Sequence, residues 1–155
     1  MSGADARSGL YTAEERRRRD GSVWTTVQAI LAPLQFAVFL ISLLCVVRYL
    51  ASGDGYALAT ASILLKTALL YTIMITGAIW EKVVFGQYLL APAFFWEDVV
   101  SFLVIALHTA YLVALGAGVA PPAQMALALA AYAVYVVNAA QFLLKLRAAR
   151  AEAPA

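Results

Sequence analysis

Residues 24–50, WTTVQAILAPLQFAVFLISLLCVVRYL, contain one charged side chain, Arg48. As a helix this stretch crosses the roughly 30 Å of hydrocarbon in a bilayer. Three further runs of similar character follow, at residues 57–80, 99–118 and 124–146. Helices are the only open-ended way to cross lipid, because an exposed strand edge finds no hydrogen-bond partner there. Turn-forming residues fall between the runs, at Ser52, Gly53, Asp54 and Gly55, and then at Gly116, Ala117, Gly118, Pro121 and Pro122. The chain is 155 residues long, 64% hydrophobic and 13% charged, which excludes an ordinary soluble domain. The expected fold is an all-α integral membrane bundle of four transmembrane helices. Residues 1–23 read as a basic cytoplasmic tail with a short interfacial helix, 24–146 as the membrane domain, and 147–155 as a second cytoplasmic tail.

Charge orients this bundle. Arg7 and Arg16 to Arg19 precede the first run, Lys82 follows the second, and Lys145, Arg147 and Arg150 close the fourth. The positive-inside rule then places both termini and the aromatic interfacial connection between helices 2 and 3 on the cytoplasmic side. Trp24, Trp80 and Trp96 fall at that same rim, as an aromatic belt requires. The four arginines read as a topology anchor on anionic lipid, continuing a short helix begun at Thr12 with Glu14 and Glu15 in its first turn. Pro33 is expected to kink the first span. The short third connection makes the last two spans antiparallel neighbours.

Other totals narrow the function. A net charge of +2 gives no indication of a nucleic-acid partner. One cysteine, Cys45, and one histidine, His108, exclude an intramolecular disulfide, a bis-histidine haem and the usual zinc sites. The residues most costly to keep are Lys66 and His108, inside spans two and three, where an ionisable group is a functional candidate. Lys66 lies about nine residues, roughly 13 Å, from the nearer end of its span, too deep for easy snorkelling. Each also has a plain structural use, as an interhelical hydrogen bond. As a coupling pair they would suit a small four-span transporter, although no matching broken helices are present.

The connection 80–98 joins carboxylates at both ends, Glu81 and then Glu97 and Asp98, to an aromatic middle with Phe94, Phe95 and Trp96. Three acids at one rim under aromatic cover favour raised carboxyl pKa values and proton transfer near neutral pH. Alternatively, Glu81 and Lys82 end one helix while Glu97 and Asp98 supply charge to the start of the next. Glu97 and His108 are 11 residues apart, on one helix face about 16 Å long, so a flat ligand standing there can touch both. Tyr71, Tyr111, Tyr132, Tyr135, Asn138, Gln35 and Gln141 read mainly as interhelical hydrogen bonds.

Residues 11–20 (YTAEERRRRD), 27–36 (VQAILAPLQF), 77–86 (GAIWEKVVFG), 91–98 (APAFFWED) and 106–111 (ALHTAY) closely resemble the vinyl bacteriochlorophyllide hydratase family. The resemblance extends from Tyr11 to Arg147. It implies a hydro-lyase that adds water across the 3-vinyl group (2-vinyl in older ring numbering) of a chlorophyllide or bacteriochlorophyllide, giving a 3-(1-hydroxyethyl) group. It also implies the bacterial inner (intracytoplasmic) membrane, contact with other enzymes of bacteriochlorophyll synthesis or a homo-oligomer, and no redox cofactor. Such chemistry needs an acid, a base for the attacking water, and a flat apolar slot. Glu97, Asp98 and Glu81 are the expected acid and base, with His108 as a further acid or as a ligand to the substrate's magnesium. Trp80, Trp96, Phe94 and Phe95 are expected to stack on the macrocycle, with Lys66 and Tyr111 as further contacts. Lys82 or Arg16 to Arg19 would meet its carboxylate. A protein that only holds or delivers the pigment is the competing expectation.

Overall fold

The computed structural model describes residues 9–152, so Arg7 lies outside the described residues. Thr12 caps α1 (Ala13–Asp20): its hydroxyl accepts from the Glu15 amide while the Glu15 carboxylate accepts from the Thr12 amide. Glu14 and Glu15 in the first turn and Arg17 to Arg19 in the last suit the helix dipole. The helix thus starts where the sequence places it, and Gly21 and Ser22 separate it from α2 (Val23–Ser52). α2 runs through Pro33 and is followed by α3 (Tyr56–Phe85), a single 3-10 turn (Pro92–Phe94), α4 (Phe95–Gly116) and α5 (Pro121–Glu152). Four of these helices are long and apolar enough to cross a membrane.

The helices outrun the apolar runs that announce them. α3 continues five residues beyond Trp80, so Glu81 and Lys82 belong to its last turn, and Pro121 and Pro122 open α5 instead of remaining in the connection. Proline suits a helix start, where the missing amide would have no partner.

α2 packs along α3, and α4 along α5. Between these hairpins lie Phe39, Val46, Ile63, Leu70, Val104, Tyr111, Met125, Tyr132 and Tyr135. Polarity runs opposite to that of a soluble bundle. Lys66, Ser42 and His108 are at most 1% exposed, whereas Leu44 is 71%, Val113 65% and Leu144 65% exposed. An apolar exterior around a polar interior is what lipid as solvent demands, and the chain is a multi-pass membrane protein.

α1, the 86–94 connection and the end of α5 gather at one end of the bundle. There Leu10 N–H donates to Glu152, Arg18 donates twice to the Val84 carbonyl, and Trp80 Nε1 donates to Thr25. Gly86 ends α3 at φ 88°, its amide bonded to the Lys82 carbonyl, with nothing within 4 Å of where a Cβ would stand. Its requirement is therefore conformational. Gly86→Ala should cost about 1 kcal/mol, seen as a lower unfolding midpoint in detergent, with no loss of packing.

Candidate functional site

Three carboxyl groups from two helices meet where α3 ends and α4 begins. Glu81, Glu97 and Asp98 are 4%, 4% and 3% exposed, buried although they lie beyond the apolar spans 57–80 and 99–118. Their placement follows from the helix ends. Asp98 Oδ2 accepts the Leu90 amide at 2.9 Å, and Glu81 Oε2 accepts the Ala91 amide at 3.4 Å, so both carboxyls hold the returning connection. Leu90 has φ 61°, outside the ordinary range for a branched residue, at the point where the chain turns back.

The Glu81 and Asp98 carboxyls also stand within reach of each other, close enough to share a proton. Burial raises the Glu81 carboxyl well above its usual range, and the bond to Asp98 adds to the shift. Burial raises Asp98 too, partly offset by the bonds from Glu81 and the Leu90 amide. Glu97 stands apart from this pair: its carboxylate forms an ion pair with Lys145 of α5. Lys145 donates in addition to the Ala93 carbonyl and lies 5.5 Å from the Phe94 ring centroid. Asn138 donates to the Glu97 carbonyl oxygen at 3.0 Å and accepts from Ser101, which also donates to that oxygen. The result is one proton-sharing carboxyl pair beside one carboxylate fixed by an ammonium.

The expected aromatic residues divide into two groups. Trp80 and Phe94 are packed with Phe85, Phe142 and Tyr11 in a small core beneath the connection. Phe95 and Trp96 face outward, 38% and 68% exposed, edge to face with centroids 5.2 Å apart. Lys82 donates to the Gly86 carbonyl and lies over Tyr88.

The structure does not bring Lys66, His108 or Tyr111 to this rim. Along α3 and α4 they lie roughly 22, 16 and 21 Å from Glu81 and Glu97. Lys66 donates to Gln35 at 3.1 Å, with Nζ 3.7 Å from the Tyr135 ring centroid, so its interhelical use is realised. His108 Nδ1 lies 2.8 Å from the Val104 carbonyl, to which it must donate, and its Nε2 has no hydrogen-bond partner. The intervening Ser101 and Val104 are fully packed, so no slot joins the two levels.

Sequence reasoning counted Lys145 only toward orientation, and Asn138 only as an interhelical bond. The spacing 138, 141, 145 places Asn138, Gln141 and Lys145 on one face of α5, the signal that could have linked them to Glu97. Asn138→Ala should destabilise the bundle by roughly 1 kcal/mol, measurable by thermal unfolding in detergent, because the bonds that Asn138 makes across to Ser101 and the Glu97 carbonyl of α4 are lost.

Residues 11–148 match the family described as 2-vinyl bacteriochlorophyllide hydratase. The 2-vinyl bacteriochlorophyllide hydratase of Rhodobacter capsulatus is 70% identical over 148 residues, covering 96% of this chain and 86% of that protein. The enzyme of the same name from Cereibacter sphaeroides is 73% identical over 141 residues, covering 91% and 88%. No solved structure matches the chain.

Proposed function

The chain belongs to the 2-vinyl bacteriochlorophyllide hydratase family, and from that premise we propose how the three rim acids divide the addition of water to the vinyl group. The chain is a hydratase, a hydro-lyase of bacteriochlorophyll synthesis. The proton shared by Glu81 and Asp98 goes to the terminal vinyl carbon, which takes the π electrons. Positive charge then builds on the carbon attached to the ring, where the macrocycle spreads it. Water adds at that carbon, forming the C–O bond of a 1-hydroxyethyl group. Glu97, ion-paired with Lys145, faces the positive charge and accepts the proton released by the water. Return of this proton to the Glu81 and Asp98 pair closes the cycle, with no electron carrier and no cofactor.

The observation that carries this division is the unequal company of three buried carboxyls: Glu81 and Asp98 meet only each other and the amides of the connection, whereas Glu97 is paired with an ammonium. A pair of like acids sharing one proton separates into a donor and an acceptor. Phe95 and Trp96 are the ring's stacking surface, and the 86–94 connection moves aside as the vinyl group enters. Lys66, His108 and Tyr111 hold the four helices together below the site. This rim, both termini and the tails at 1–23 and 147–155 are cytoplasmic, by the arrangement of basic residues. The substrate thus arrives through the headgroup layer of the inner membrane.

In nanodiscs supplied with the 3-vinyl pigment, Glu81→Gln, Asp98→Asn and Glu97→Gln should each lower kcat by about a hundredfold or more. His108→Ala should keep most of the turnover, whereas its loss of activity would favour a deeper pose with the ring's magnesium on Nε2. Parent rates in all three acid variants would refute the carboxyl mechanism. Oxygen-18 water should label the product hydroxyl, and binding without a mass change would leave only a carrier.

The raised Glu81 carboxyl also sets a pH dependence. Its proton is present at neutral pH and is lost as pH rises through the raised value, so kcat should fall on the alkaline side. In this window the folded state holds a proton the unfolded chain has released, so stability falls in the same direction. Glu81→Gln should remove much of the stability component, measured as unfolding midpoint against pH.

A further inference from the structure

Beside the acid cluster, at the same end of the bundle, α1 and α5 enclose a recess of about 320 Å³ lined by Tyr11, Arg19, Leu146, Ala149 and Arg150. Its lining combines apolar side chains with two arginines. Arg19 lies 4.6 Å from the Tyr11 ring centroid and bonds to Asp20 at the surface. Among the described residues Arg150 makes no hydrogen bond or ion pair. Two further acids stand nearby: Glu152 accepts the Leu10 amide and Glu15 the Thr12 amide. Of the other basic groups at this end, Arg18 is bound to the Val84 carbonyl, Lys82 to the Gly86 carbonyl, and Lys145 to Glu97 and the Ala93 carbonyl, while Arg16, Arg17 and Arg147 do not line the recess.

The recess adjoins the acids. Leu146 follows Lys145 directly, and Ala149 is one turn beyond, about 6 Å along α5. Tyr11 stacks on Phe85 with centroids 5.8 Å apart, and Phe85 meets Phe94 at 5.9 Å, next to the Lys145 ammonium. A packed aromatic core therefore joins the recess to the carboxyl cluster, so the two lie at one rim. A ligand for both ends must be flat, apolar and singly anionic at one edge. A chlorophyllide is such a molecule, since the free carboxylate of its propionate chain is what distinguishes it from the esterified chlorophyll.

We propose that Arg19 and Arg150 bind this carboxylate, seating the tetrapyrrole at the rim with its vinyl edge toward Glu81, Glu97 and Asp98. The proposal rests on the hydratase reading for the identity of the ligand. Two charge-assisted contacts, against a mostly apolar surround, would set which pigments are accepted: free acids, and not their esters.

The full chain in phosphatidylcholine nanodiscs provides the test, with the 3-vinyl pigment as free acid and as methyl ester. Binding is read by fluorescence, independently of turnover. The parent should bind the acid about tenfold more tightly than the ester, and Arg150→Gln and Arg19→Gln should each erase most of that difference. KM for the acid should rise by a similar factor with kcat nearly unchanged. Equal affinity of the parent for acid and ester would overturn the proposal without any variant. So would equal weakening of acid and ester by the substitutions, which marks a structural role. A preference that appears only when phosphatidylglycerol is added would assign the recess to lipid phosphate and overturn it too. Failure of the hydratase reading would show separately, as binding without conversion.

Discussion

The ion pair between Lys145 and Glu97 is the contact on which the working end of this bundle depends. α4 and α5 are already paired along their length by small and aromatic side chains, but that packing does not set which way the first turn of α4 faces. Lys145 does so by reaching both the Glu97 carboxylate and the carbonyl of Ala93, one in the helix and one in the 3-10 turn before it. Removing the ammonium would leave the Glu97 carboxylate buried without compensation, a larger loss than the pair's own attraction. With Glu97 held in this way, Asp98, its neighbour in sequence, is directed to Glu81 and the Leu90 amide.

The same contact explains why three acids can share so small a volume. Three ionised carboxylates at this depth would repel one another and lack solvation. The structure avoids this by giving one acid an ammonium and the other two a common proton. That difference in surroundings is a structural necessity of burying them together. Asn138, Ser101 and the amides of Leu90 and Ala91 supply the remaining hydrogen bonds.

Much of this was legible in the sequence because lipid is an exacting solvent. Four apolar runs gave four helices, and Thr12 with Glu15 gave the start of α1. The runs underestimated the helices because hydropathy measures contact with lipid, whereas Glu81 and Val84 continue α3 inside protein. Glu81, Glu97 and Asp98 stood out as charges that orientation did not need. Lys145 did not, since a basic residue at a cytoplasmic rim already has a sufficient explanation and its partner lies in another helix. His108 and Glu97 share a face as the spacing indicates, but a shared face says nothing of what fills the distance between them. Ser101 and Val104 fill it.

The ammonium that completes the acid cluster stands near the end of α5, which leaves the ribosome after the other described helices. Until that helix inserts, Glu97 has no counter-charge and the 86–94 connection has no anchor at Ala93. Synthesis of the chain therefore acts as an order of assembly: three helices can enter the membrane and pair, yet the acids remain undivided until the fourth arrives. A chain halted before Lys145 would retain most of its apolar contacts but would leave the buried Glu97 carboxylate without its counter-charge.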